Sequence, residues 1–464
     1  MERILKILCL VVGLAMAFVG FPNGAISSLL VTAFALLIIF LIRKYAEEDK
    51  ELLTSIFLIA LLVRIVFGLF VSIAGLQTFF GADAKTYDSL GQRLVELWFY
   101  NADPNDWWSK RAMSTSEAGW GMTYLVGAIY TVTGSSILIA QSFCAVIGAA
   151  TAPMVYFCAQ KVFNNNRVAK VTAISIALFP SFIVWSSQLM KDGLIIFLLV
   201  VVMTMVLQLQ QRFNLLAVAV LILSMFGILS LRFYIFYMVA AAVAGSFVVG
   251  LGNTGVSILR RIAAVILIGL GLTYFGVLRD TTQIERYANL EMVQRSRQDL
   301  ASSAESGFAE DVDVSTTEGA ITTIPIGFLY LMLAPFPWQV TNVRQAITLP
   351  EILVWWAIIP LIISGSWYAV RHRLREAIPI IIFTVMLTLV YSVFQGNVGT
   401  AYRQRTQIQV FLFMFAGVGW ALLQEKKENK QLVRQAARDR KLREIKALRE
   451  RDQFEKPTQV LKVK

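Results

Sequence analysis

The sequence predicts an all-α, polytopic transmembrane helix bundle of about 12 spans, with interfacial helices in its first large outer loop. Three observations lead there. Of 464 residues, 57% are hydrophobic and only 16% charged, with a mean hydropathy of +0.65; a soluble domain cannot bury so much apolar surface. Apolar runs of about 17–25 residues recur, the length a helix needs to cross about 30 Å of hydrocarbon. The runs are continuous rather than alternating with period two, which excludes a β-barrel.

Taken in order, the runs place spans at residues 5–20, 26–42, 52–75, 136–160, 171–188, 193–211, 214–231, 233–251, 258–277, 348–370, 376–394 and 408–423. The first is preceded by Arg3 and Lys6 like a signal peptide, but Phe21-Pro22-Asn23-Gly24 leads directly into a second apolar run with no small-residue cleavage site, so it is expected to be retained. If the chain starts inside, Arg43/Lys44/Lys50, Lys161/Arg167/Lys170, Arg212, Arg260/Arg261 and Arg371/Arg373/Arg375 all fall on one face with the tail. Basic loops mark the cytoplasmic side, so both termini are expected to be cytoplasmic, in the cell's inner (plasma) membrane. Three units follow: two extra N-terminal helices (1–50), a transmembrane core (51–424) and a basic, helical tail (425–464). From Glu425 onward 14 Lys and Arg face 7 Asp and Glu, a net of +7 out of +12 for the chain. A basic charge concentrated behind a last span suits a cytoplasmic end, read as a solvated charged helix or as one that meets anionic headgroups or a partner helix, and nucleic acid is not expected as a partner.

Three outer loops remain, at about 76–135, 278–347 and 395–407. In the first, Tyr87, Leu90, Leu94, Leu97 and Trp98 recur at helical spacing among Lys85, Asp88, Gln92 and Glu96, which predicts a surface helix over 84–100. Trp107 and Trp108 read as interfacial anchors, and 119–134 as a short interfacial helix. In the second, a polar helix is expected over 282–300, a small acidic stretch over 301–319, and a half-segment over 324–338 broken by Pro325, Pro335 and Pro337.

Absences narrow the chemistry. His372 is the only histidine and lies in a basic inner loop, so histidine-based hydrolysis and histidine-ligated metal are excluded on the outer face. Cys9, Cys144 and Cys158 all sit in apolar runs and imply neither a disulfide framework nor a metal site. No phosphate loop of the Walker type is present. Carboxylates, Lys, Arg and hydroxyls remain, and three outer clusters carry them. Asp83, in Gly81-Ala82-Asp83-Ala84-Lys85-Thr86-Tyr87-Asp88, either caps the surface helix or faces a substrate. Lys191-Asp192 sits between two apolar runs with almost no loop, as a tight polar turn or a site element. Arg403 and Arg405 run against the positive-inside trend, and guanidinium is the preferred clamp for phosphate. Arg64 lies inside a span, where a charge costs about 2.5–3.5 kcal/mol and demands a partner or a wet cavity; Arg232, at a span end, is expected to snorkel. Together the clusters offer a base for an acceptor and cations for an anionic leaving group.

On these residues the chain resembles the GT-C superfamily of membrane glycosyltransferases, in particular the branch of protein O-mannosyltransferases and lipid A aminoarabinose transferases. The resemblance covers about Leu52 to Gln424: Asp83-x3-Tyr87-x3-Gly91, the interfacial segment Tyr124 to Ser135, Asn166-Arg167-Val168-Ala169 through Pro180 to Asp192, and the late Arg403 and Arg405. It departs in having Ala84 after Asp83, and Ala118-Gly119-Trp120-Gly121 where the family has paired prolines. It implies a transferase of the cell envelope that moves a hexosyl or pentosyl unit from a polyprenyl-phosphate donor to a glycan, lipid or protein acceptor on the outer face. Asp83 and Asp192 would be catalytic, Asp83 as base, with Lys85, Tyr87, Lys191, Arg403 and Arg405 binding substrate. No cofactor is required; a divalent metal would match the oligosaccharyltransferase relatives, but the sequence offers no ligand set for one. Two alternatives stand: a polysaccharide polymerase of the O-antigen type, or a flippase for lipid-linked sugars.

Overall fold

The protein is described from a computed structural model, over residues 2–46, 48–116, 119–249, 289–302, 306–308 and 312–454. The predicted span at 258–277 lies outside these residues. Among the described residues there are helices and no strand, apart from one isolated antiparallel bridge between Gly307 and Asn397.

The chain opens with a helical pair, α1 (Glu2–Val19) and α2 (Asn23–Tyr45), followed by α3 (Lys50–Ile73). Four shorter helices follow: α4 (Gln77–Phe80), α5 (Asp83–Phe99), α6 (Trp107–Met113) and α7 (Trp120–Thr133). Then come α8 (Ile137–Phe163), α9 (Asn166–Leu178), α10 (Pro180–Ser186), α11 (Lys191–Gln211), α12 (Leu215–Leu231) and α13 (Phe233–Val249). After them come α14 (Leu290–Ser302) and α15 (Thr317–Leu333), and α16 (Val343–His372), α17 (Leu374–Phe394) and α18 (Val398–Phe454) complete the bundle. Seven of the described helices, α2, α3, α8, α11, α16, α17 and α18, are long and apolar enough to cross a membrane, or eight if the bent pair α9–α10 is one span. This is a multi-pass membrane protein. The expected number of about 12 is not confirmed: of the expected spans, α12 and α13 are apolar but shorter, α1 is not among these candidates, and 258–277 lies outside the described residues.

Helix α8 lies at the centre, buried along most of its length against α2, α3, α9 and α11. Its run of Ala140, Ala145, Gly148, Ala149, Ala150 and Ala152 lets neighbouring backbones approach closely, the usual basis of helix association where lipid removes the hydrophobic drive. At one end of the bundle, Lys170 pairs with Asp49 at 2.8 Å, Asn166 with Glu48 at 2.9 Å, and Arg167 with Glu428 at 2.9 Å. Residues expected on the inner face thus meet on one face, opposite the surface helices.

Three expectations need correction. The run 171–188 is not a straight span: α9 and α10 are bent by 55° around Phe179. Pro180 has no N–H to offer the Ile176 carbonyl four residues back, and it sits well at the first position of a new helix instead. The supposed loop 395–407 is helix from Val398 onward, continuous with the last span and with the tail. Pro325 does not break its segment; it lies inside α15, which runs on to Leu333.

The bend explains Arg64. This side chain is 1% exposed within α3, and its guanidinium donates to the freed carbonyls of Ile176 at 3.2 Å and Ala177 at 3.0 Å, to Ala60 O at 3.0 Å and to Ser186 Oγ at 2.8 Å. A buried cation and a broken backbone satisfy each other. Replacing Arg64 with Met should therefore destabilise the protein by about 2–5 kcal/mol, because it strands those acceptors in the membrane interior. Thermal unfolding of the detergent-solubilised protein measures this, and an unchanged transition would refute the assignment.

Candidate active site

Helices α5, α6 and α7 are tied together so as to hold one helix face. Asp106 caps α6 by accepting from Ser109 N at 2.6 Å, and Arg93 of α5 ties the two helices together through Asp106 and through Ser109 Oγ at 3.0 Å. Tyr130 of α7 donates to Asp88 of α5. Gly91 lies so close to α7 that a Cβ there would come within 2.9 Å of Val126 Cβ. Asp83, Tyr87 and Gly91 are one helical face, four residues apart. Gly91 seats that face on α7 while Asp83 and Tyr87 project to the bundle. Trp107 and Trp108, 61% and 51% exposed, stand on the outside of this platform.

Asp83 is the first residue of α5, yet that terminus has no side-chain cap. The carboxylate turns to Arg403 instead, with Oδ2 2.9 Å from Nη2. Arg403, on the second turn of α18, reaches Asp192 as well: Nε is 2.7 Å and Nη2 2.5 Å from Asp192 Oδ2. Asp192, in the first turn of α11, is 0% exposed, and its Oδ1 accepts from Arg232 Nη2 at 3.2 Å. Arg232 stands between α12 and α13. The expectation that it snorkels is wrong: it is buried and paired, because the helix ends converge on a carboxylate that water cannot reach. Trp185 lies under Arg403, its ring centroid 5.7 Å from the guanidinium carbon.

Lys191 and Tyr87 complete the group. The ammonium lies 6.0 Å from the Tyr87 ring centroid, and Gly119, at φ +94°, leaves room for both. A Cβ there would be 2.8 Å from Lys191 Nζ and 3.1 Å from the Tyr87 hydroxyl. Burial, then the neighbouring Asp83 and Asp192 carboxylates, push the Tyr87 phenol well above its usual range, so it stays a proton donor at neutral pH. Residues from α5, α11, the α12–α13 junction and α18 therefore meet at one place: Asp83, Tyr87, Lys191, Asp192, Arg232 and Arg403.

Two expected members are elsewhere. Lys85 is exposed on α5, two residues or about 200° from Asp83, and makes no ion pair among the described residues. Arg405 is about 200° from Arg403 for the same reason and is 0% exposed. It donates to the carbonyls of Met332 at 3.0 Å and Ala334 at 2.9 Å, and lies 5.1 Å from the Tyr402 ring centroid. Tyr402 in turn donates to Glu351 at 2.7 Å, and Ser181 reaches the same carboxylate. Arg232 and Trp185 were not singled out from the sequence as site residues. A cation between two apolar helices with no loop was the available signal for Arg232; nothing local marked Trp185.

The paired carboxylates invite a divalent ion, but the residues do not fit one as they stand. Arg403 already bridges Asp83 and Asp192, and among the described residues no three His, Cys, Asp or Glu gather to hold a metal. Counting both carboxylates against Lys191, Arg232 and Arg403 leaves the site with one excess positive charge, suited to an anion.

No protein-family model and no curated protein matches the sequence. Among solved structures, similar chains include ArnT from Cupriavidus metallidurans bound to undecaprenyl phosphate, 14% identical with TM-score 0.49, covering 80% of this chain and 63% of that one. The Archaeoglobus fulgidus oligosaccharyltransferase in its apo form is 14% identical with TM-score 0.47, covering 85% and 52%. Apo ArnT from C. metallidurans gives 14% and 0.47, covering 80% and 62%. The chain thus spans less than two thirds of each of these proteins. At this level of likeness the chemistry of the site has to come from its own residues.

Proposed function

We propose that the protein is an integral-membrane glycosyltransferase that moves a sugar from a polyprenyl-phosphate donor to an acceptor hydroxyl at the outer surface of the cell's inner membrane, with both termini cytoplasmic. One observation carries this reading: two carboxylates share one arginine but differ in availability. Asp192 is sealed, with both oxygens held by guanidinium groups. The Asp83 side chain is 45% exposed, and its Oδ1 has no hydrogen-bond partner among the described residues. Asp83 is thus the group able to meet a substrate, and Asp192 is a positioning residue, directing Arg403 and Arg232 rather than Lys191 alone.

In the proposed reaction Asp83 Oδ1 takes the proton of the acceptor hydroxyl as its oxygen bonds to the anomeric carbon. The bond from that carbon to the phosphate oxygen breaks, and the electron pair leaves with the phosphate. Arg403 keeps Nη1 clear of both carboxylates, and with Lys191 it stabilises the departing charge, which needs cations rather than a proton. One accessible carboxylate with a ready-made leaving group gives single displacement and inversion. Arg403 serves here as the cation between the carboxylates, so the reaction is proposed to run without a divalent metal.

Purified protein incubated with polyprenyl-phosphate hexoses and pentoses, together with a cell-envelope extract as the source of acceptor hydroxyls, should release polyprenyl phosphate. Asp83→Asn should slow release by about 10²–10⁴-fold with unchanged thermal unfolding; retained transfer would remove Asp83 as the base. Arg405→Met should do the reverse, lowering the unfolding temperature while activity per folded molecule changes little. Equal loss of activity in Arg405→Met and Arg403→Met at equal folded fraction would contradict the separation of the two arginines.

A further inference from the structure

At the opposite end of α11, about 30 Å from Asp192 by helical rise, the inner ends of α8, α11, α16 and α17 surround a cavity of about 330 Å³. Gln160, Lys161, Asn164, Gln211, Arg373 and Glu376 line it. That volume is roughly ten waters, more than a bare phosphate fills.

The lining is charged and incompletely paired. Elsewhere on this face opposite charges do meet, as in Lys170–Asp49 and Arg167–Glu428. Around the cavity, Arg373 and Glu376 make no ion pair among the described residues, and Lys161 spends one of its three donors on Gln208. Gln160 Oε1 is buried without a hydrogen-bond partner among the described residues. Two cations with a carboxylate and an orphaned amide oxygen call for a ligand that carries an anion and hydrogen-bond donors together. The depth is that of headgroups: Trp367 is exposed one turn before Arg371, whose guanidinium lies 4.4 Å from the ring centroid, and Tyr368 stacks on His372 at 4.6 Å. Aromatic and basic side chains gathered in this way mark a membrane interface.

We propose that this cavity binds a phosphodiester headgroup, its phosphate on Lys161 and Arg373 and its ammonium or hydroxyl hydrogens on Glu376 and Gln160, and that the source is a membrane phospholipid. The test is native mass spectrometry of the full chain in detergent, titrated with phosphatidylethanolamine or phosphatidylglycerol. Lys161→Gln/Arg373→Gln should raise the lipid concentration for half-saturation at least about tenfold, whereas Arg443→Gln, in the exposed tail, should leave it unchanged. Glu376→Gln keeps both cations and should weaken phosphatidylethanolamine more than phosphatidylglycerol. Soluble glycerophosphate that displaces lipid at comparable concentration would establish the anion site but overturn the lipid as its source. Equal lipid binding by wild type and the double variant, both folded, would overturn the proposal, as would unchanged lipid preference in Glu376→Gln.

Discussion

A carboxylate sealed from water at the end of a membrane span survives only if cations come to it, and Asp192 draws two. Removing an ion from water costs several kcal/mol even after relaxation, so Asp192 constrains its surroundings more than it stabilises them. Arg403 must arrive from the start of α18 and Arg232 from the junction of α12 and α13, which fixes where three helix ends lie. Once Arg403 is held there by two of its nitrogens, its fork also reaches Asp83 on the surface helix. The accessible acid is thereby placed by the inaccessible one.

The remaining buried arginines follow the same rule with backbone in place of carboxylate. Arg64 answers carbonyls released by the bend at Pro180, and Arg405 answers carbonyls at the end of α15. Guanidinium suits this work because its fixed, planar donors satisfy several acceptors at once. Of the two neighbouring arginines on α18, Arg403 faces the site and Arg405 the packing between helices. A two-residue step on a helix leaves little room for any other outcome.

Much of the architecture was legible because it rests on composition and period. The surface helix over 84–100 and the basic face followed directly from apolar spacing and loop charge, and α5 runs over Asp83–Phe99. The meeting of Asp83, Asp192 and Arg403 followed from their shared membrane face. What escaped was local conformation within apolar runs. Reading 395–407 as a loop placed Arg403 and Arg405 together, whereas helix from Val398 separates them. The break at Pro180 is hidden inside a continuous apolar run, although the residue before a proline is biased away from helix. The burial of Arg232 depends on a partner 40 residues away, Asp192, and a lone cation at a span end carries no sign of which acid it will find.

The most direct measurement is a double-mutant cycle on Asp192 and Arg403, read by thermal unfolding of the full chain in detergent. If a buried ion pair organises the outer helix ends, Asp192→Asn and Arg403→Gln should each destabilise the protein. The double variant should then lose less than their sum by about 1–3 kcal/mol. Additivity within about 0.5 kcal/mol would contradict the account.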